Sequence, residues 1–182
     1  MNEKSTQVTT GLVRLSYCQV WTPKALEEGK EPQYSVSLLI PKNDAKSVAA
    51  VKDAMKNAIE NGRAKVLGKT PEAKIALPLR DGDEEKPDDE AYKGMYFINA
   101  KSKKQPTIVD AKVQPILNQD DVYSGCWAKA CITFYPYCYN GMKYGIGCGL
   151  LAIQKIKEGE PLGGGSVDPN AVFTAEDTEE EW

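Results

Sequence analysis

Two alternating segments joined by Asn140-Gly141 narrow the folds open to this chain more than anything else in it. Gly125–Tyr139 precedes the dipeptide and Lys143–Ile156 follows it. Asn and Gly both tolerate φ > 0, which a type I′ turn needs at its two central positions, so a long antiparallel hairpin is expected. A hairpin on its own is marginal in water and needs further strands or a helix against its apolar face. In the first arm that face reads Cys126, Ala128, Ala130, Ile132, Phe134, which is small, apolar and suited to a core.

The partners are legible upstream. Gly11–Trp21 alternates, with Val13, Leu15 and Tyr17 on one side and Arg14, Ser16 and Cys18 on the other. Tyr34–Ile40 is a second strand closed by Pro41, and Met95–Ala100 and Thr107–Val109 are further strands. Asn43 or Asp44 can cap a helix whose Val48, Val51, Met55 and Ile59 fall on one face. Gly62 stands where a C-terminal stop is expected, giving a helix of about 18 residues. Thr22–Gln33 and the acidic Asp81–Glu90 read as loops, the latter exposed, and residues 63–79 follow neither period. The sum is a mostly-β domain over residues 1–157, a five-stranded barrel of the OB type with one main inserted helix.

Charge divides the chain further. The formal net charge is −3, yet no basic residue follows Lys157, while eight acids do. Seven more acids crowd into Asp81–Glu90, where Lys86 is the one base. The remainder is strongly basic, an asymmetry that suggests a polyanionic partner. Residues 158–182, with Pro161, Gly163, Gly164, Gly165 and Pro169, are expected to form a flexible acidic tail. It ends in Glu179, Glu180, Glu181 and Trp182, and a tryptophan on a solvated acidic tail suits a partner's pocket.

Several chemistries are excluded. There is no histidine, which removes Ser-His-Asp and Cys-His catalysis and every imidazole-bound zinc. The five cysteines lack a C-x2-C pair, their number is odd, and they read as free, mostly core thiols. The acids of Asp81–Glu90 could bind a divalent cation for nuclease chemistry, but they do not match an EF-hand loop and share one flexible stretch. No P-loop or nucleophile elbow is present. No apolar run approaches the roughly 18 residues of a membrane span, and MNEKSTQVTT has no secretory h-region. No enzyme activity, metal or cofactor is expected, and the expected location is a reducing cytoplasm.

Binding is the simpler task. The second face of the first hairpin arm carries Trp127, Lys129, Cys131, Thr133 and Tyr135, with Tyr137 and Tyr139 continuing its parity. Aromatic rings stack on any base at about 1–3 kcal/mol each, and lysines neutralise phosphates. Lys101, Lys103 and Lys104 follow the strand Met95–Ala100, with Lys93 before it, and Trp21 ends the first strand. These residues are the candidate DNA-binding set. On the return arm, Gly145, Gly147 and Gly149 leave one face bare, which an aromatic ring from a neighbouring strand is expected to fill.

The ordered segments YSVSLLIPK (34–42), PLRDGD (78–83), KGMYFINAKS (93–102), PTIVD (106–110), YSGCWAKACITFYPY (123–137) and YGIGCGLLAIQKIKEGEPL (144–162) resemble a family of phage single-stranded-DNA-binding proteins of the Enterobacter-phage type. The resemblance implies an OB fold related to the single-stranded-DNA-binding protein of phage T7. It also implies an acidic tail ending in an aromatic residue, which EDTEEEW mirrors. The expectation is a protein that coats single-stranded DNA without reading sequence during phage replication or recombination. Its tail would recruit a polymerase, helicase or primase, and self-association is left open. Two other readings compete: a protein-interaction adaptor that does not touch DNA, and a metal-dependent nuclease built on Asp81 and Asp83.

Overall fold

The computed structural model describes residues 5–25, 28–162 and 174. Strand β1 (Gln7–Thr9) leads into β2 (Val13–Lys24) and β3 (Gln33–Pro41), then helix α1 (Ala45–Gly62). Short strands β4 (Ile75–Ala76) and β5 (Leu79–Asp81) and a one-turn helix α2 (Gly82–Glu85) precede β6 (Met95–Ser102) and β7 (Thr107–Val109). The hairpin closes the series as β8 (Trp127–Tyr139) and β9 (Lys143–Lys157). Asn140 and Gly141 have φ of 54° and 68°, the left-handed pair that the turn requires.

Five strands close on themselves. β8 pairs β2, β2 pairs β3 and β3 pairs β6, all antiparallel; β6 runs parallel to β9 through Lys101 and Gly149, and β9 returns antiparallel to β8. Closure removes the exposed edges that an open sheet would leave, and this circuit with one parallel pairing is the expected OB barrel. β1, β5, β4 and β7 extend β8, β6 and β9 outward.

The core is the apolar parity of each strand: Val13 and Leu15, Val36 and Leu38, Ile98 and Ala100, and Cys126, Ala128, Ala130, Ile132 and Phe134 are at most 2 % exposed. α1 covers one opening of this core with Val51, Ala54, Met55, Ala58 and Ile59. Asp44 caps it, its carboxylate accepting from the Ser47 amide at 3.1 Å. Among the described residues no helix is long and apolar enough to cross a membrane.

α1 ends at Gly62 after 18 residues, as its periodicity predicts. Gly62 keeps a φ of −77°, and a Cβ there would stand 2.7 Å from Pro136 Cβ. Its smallness serves close packing on β8, while the chain continues through a π-helical turn, Arg63–Leu67, to the left-handed Gly68. Tyr17 does not share the buried side of Val13 and Leu15. A register shift between Ser16 and Gln19 and a φ of 46° at Tyr17 form a bulge that buries Ser16 and leaves Tyr17 62 % exposed. β2 also runs on through Pro23 to Lys24, where a strand end tolerates proline.

The acidic stretch is not a free loop either. Asp81 and Asp83 both accept from the Lys42 ammonium, at 2.7 and 2.8 Å, and Asp83 also accepts from the Gly94 amide. Among the cysteines, Cys126 and Cys148 are buried, Cys18 and Cys131 half-buried, and Cys138 exposed because it lies on the hairpin arm near the turn.

Candidate nucleic-acid interface

Two of the three glycines of β9 stand opposite tyrosines of β8, and the third opposite a threonine. Tyr135 pairs with Gly147, Tyr137 with Gly145 and Thr133 with Gly149. A Cβ on Gly147 would stand 2.5 Å from Tyr135 Cζ, and one on Gly145 would stand 2.4 Å from Tyr137 Cζ. The rings therefore lie down across the neighbouring strand instead of standing off the sheet. They remain 37 % and 39 % exposed, and Tyr139 53 %, so each offers surface to a ligand. The expected filling of the bare glycine face and the expected aromatic platform are one arrangement. Burial is the main influence raising the Tyr135 phenol above its ordinary pKa, and a neutral phenol does not repel phosphate.

Cations surround this platform. Asn99 and Lys101, on the outward parity of β6, share a groove with Tyr135, Tyr137 and Tyr139. Lys30, from the β2–β3 loop, places its ammonium 6.0 Å from the Tyr139 centroid. Lys103 pairs with Glu31 of the same loop at 3.4 Å, and Lys104 continues beyond the end of β6. The hairpin tip, the β2–β3 loop and the end of β6 thus meet around one groove, with Lys101 on its wall.

The remaining candidates lie elsewhere. Trp127 is eight residues before Tyr135, about 26 Å along an extended strand. It stands between Arg14, at 5.9 Å, and Lys157, at 5.4 Å, beside Gly159. Lys129, two residues on, is exposed and pairs with Gln154 on β9. Trp21 packs on the core and donates its indole N–H to the Val122 carbonyl at 3.1 Å. Lys93 borders a recess shared with Asp83, Asp88 and Glu90, an acidic setting unsuited to phosphate. Glu179, Glu180, Glu181 and Trp182, with the tail beyond residue 162 apart from Thr174, lie outside the described residues.

Residues 158–162, assigned to the tail on sequence, lie against the body. Tyr123 donates to the Glu158 carboxylate and accepts from the Gly159 amide at 3.1 Å. Arg14 donates to the Glu160 carbonyl at 2.6 Å, and the Leu162 amide to the Ser124 carbonyl at 2.8 Å. Leu162 itself packs against Leu39, Tyr92 and Phe97.

Sequence reading missed the other half of the same face. Tyr17, Gln19, Ser37, Arg80 and Lys86 line a recess that shares Asn99 and Lys101 with the tyrosine groove. Ser35 and Ser37 alternate with Val36 and Leu38, so the polar parity of Tyr34–Ile40 was a usable signal; the bulge that turns Tyr17 outward was not. Of the carboxylates considered for a metal, Asp81 and Asp83 are occupied: Lys42 hydrogen bonds hold both below the usual carboxylate range. Among the described residues no three His, Cys, Asp or Glu side chains are grouped to hold a metal ion.

A family model described as the Enterobacter phage Enc34 single-stranded-DNA-binding protein matches residues 6–182. The chain belongs to the Enc34 single-stranded-DNA-binding protein family. A relative, protein p50 of Acyrthosiphon pisum secondary endosymbiont phage 1, is 30 % identical over 161 residues, covering 85 % of each chain. The Enc34 protein solved in complex with single-stranded DNA is 26 % identical, with a TM-score of 0.74 over 87 % of this chain and 90 % of that one. The barrel is also that of gp2.5, the single-stranded-DNA-binding protein encoded by bacteriophage T7, at 15 % identity and a TM-score of 0.62 over 93 % of this chain and 98 % of that one. That last likeness is one of fold.

Proposed function

We propose that this member of the Enc34 family is a non-enzymatic protein that coats single-stranded DNA, independently of sequence, during phage DNA replication or recombination in the host cytoplasm. The observation that carries the reading is the pair of tyrosines laid over glycines on the β8–β9 hairpin, with Lys101 beside them and Lys30 at the tip. Flat rings accept any base, and ammonium groups accept any phosphate, so the face grips a strand without reading it. A duplex hides its base faces and gains nothing from the rings.

The acidic residues after Leu162 serve two ends in this reading. They repel DNA from the groove beside which they are tethered, and Trp182 with Glu179, Glu180 and Glu181 engages a replication protein such as a polymerase, helicase or primase. The test is a titration of the full chain with single-stranded DNA, single-stranded RNA and duplex across salt concentrations. Single strands are expected to win, with log K falling against log[salt] at a slope of about −0.7 per phosphate contacted. A salt-independent or duplex-preferring interaction contradicts the reading.

A further inference from the structure

Past Asn99 and Lys101 the groove opens into a recess of ≈ 490 Å³, a size suited to a small ligand. One wall is aromatic: Tyr17, whose ring is exposed, and Tyr92 and Phe97, which are buried in the free protein and pack edge to face with centroids 5.2 Å apart. Lys86 reaches in from the acidic stretch. Its ammonium stands 5.3 Å from the Tyr17 centroid, 5.0 Å from Tyr92 and 5.9 Å from Phe97. It is half-buried while residues 83–85 and 87–90 are exposed, so it has turned away from its seven acidic neighbours.

A second observation points to a ligand. Ser37 also lines the recess; it is 3 % exposed, and its Oγ has no hydrogen-bond partner among the described residues. Buried hydroxyls are ordinarily paired, because an unpaired one has lost its water without compensation. Ser37 stands opposite Asn99 in the β3–β6 register, which sets a hydroxyl beside a carboxamide. Each of these groups both donates and accepts, as the edge of a nucleobase does.

We propose that this recess takes one unpaired nucleobase, and that Lys86 fills it in the free protein and moves out to a phosphate when the base enters. An aromatic wall attracts a cation through its quadrupole, but a base offers it a wider stacking surface and a polar edge for Ser37 and Asn99. The displaced ammonium keeps a counter-charge, since any base that enters brings its own phosphate. The left-handed conformation of Tyr17, unusual for an aromatic residue, fits a site where backbone strain holds a side chain in a working position. The inference rests on the reading of this sheet face as a single-strand interface.

The full chain with ¹³C-labelled lysine reports directly on the exchange, with the Lys86 signal assigned from a Lys86→Arg variant. Rings around Lys86 shift its ε-methylene protons upfield in the free protein. Saturation with an oligo-dT strand is expected to return that signal to the ordinary lysine position. Ser37→Val is expected to weaken oligo-dT binding at least fivefold, and the exposed-site change Tyr17→Ala five- to a hundredfold, about the value of one base stack. Tight binding with the Lys86 signal still upfield, or with both variants at wild-type affinity, overturns the pocket and leaves the tyrosine platform standing. Absence of any single-strand binding overturns the interface and the pocket together.

Discussion

The phenol of Tyr137 lies across Gly145, its paired neighbour on β9, so closely that a Cβ on Gly145 would stand 2.4 Å from Cζ of the ring. Tyr135 and Gly147 repeat the relationship two residues along. The obstructing atoms are the far ends of flexible side chains, so an added methyl displaces the ring without breaking the strand pairing. Gly145→Ala and Gly147→Ala are therefore expected to fold with a near-normal Tm and bind oligo-dT about three- to tenfold more weakly, part of the value of a stacked base. Thermal melts beside binding titrations check both halves.

Tyr17 separates stability from binding in another way. A non-glycine residue in the left-handed region carries strain of about 1–2 kcal/mol. Tyr17→Gly relieves that strain while removing a ring that is 62 % exposed. It is expected to keep or raise the denaturant midpoint and to lose oligo-dT affinity. Tyr17→Ala keeps the strain and loses the ring, so it is expected to be the less stable of the two.

Because residues 158–162 lie against the body, a truncation that tests the tail starts at residue 163. Removing residues 163–182 is expected to tighten single-strand binding several-fold at low salt and to change it little at high salt, where Coulomb competition is screened. Equal affinity of both forms at low salt removes the competitive role.

The Lys42 clasp has a definite pH dependence. Hydrogen bonds from Lys42 hold the carboxyls of Asp81 and Asp83 below the usual carboxylate range, and the two carboxylates raise Lys42 in return. Depressed acids contribute stability that is fully present above their unfolded value, about 4, and is lost as pH falls through the lowered folded values. Exchange protection of the Gly94 amide, which donates to Asp83 at 3.1 Å, is expected to hold down to about pH 4 and to fall only below it. Lys42→Met is expected to lower that protection already at pH 7.

Thiol chemistry offers a footprint. Burial pushes the Cys18 and Cys148 thiols up to about 12 and raises Cys126 as well. Cys138 is exposed and lines the groove with Tyr135 and Tyr137. A disulfide reagent at pH 8 is expected to modify Cys138 first, and oligo-dT to slow that reaction. Unchanged Cys138 labelling under saturating DNA would place the strand elsewhere on the barrel.

Local chemistry alone was enough for the hairpin, its type I′ turn, the apolar parity of β8 and a cap at Asn43 or Asp44, because each depends on residues a few positions apart. The tyrosine face was legible too, since strand parity is a period of two. The rest depended on contacts between distant segments. Gly62 ends the α-helix as its position predicts, but only Pro136 beside it explains why the residue must be small, and Trp127 shares the parity of Tyr135 yet lies a strand's length away, among Arg14 and Lys157. Lys86 looks like a stray base in an acidic run until barrel closure brings Tyr17, Tyr92 and Phe97 around it. The sequence by itself determined which residues face outward where a strand runs without a bulge, as for Tyr135 and Tyr137 on β8; only the closed barrel decided which outward residues meet and that Tyr17 is among them, because closure and register shifts set the neighbours across strands.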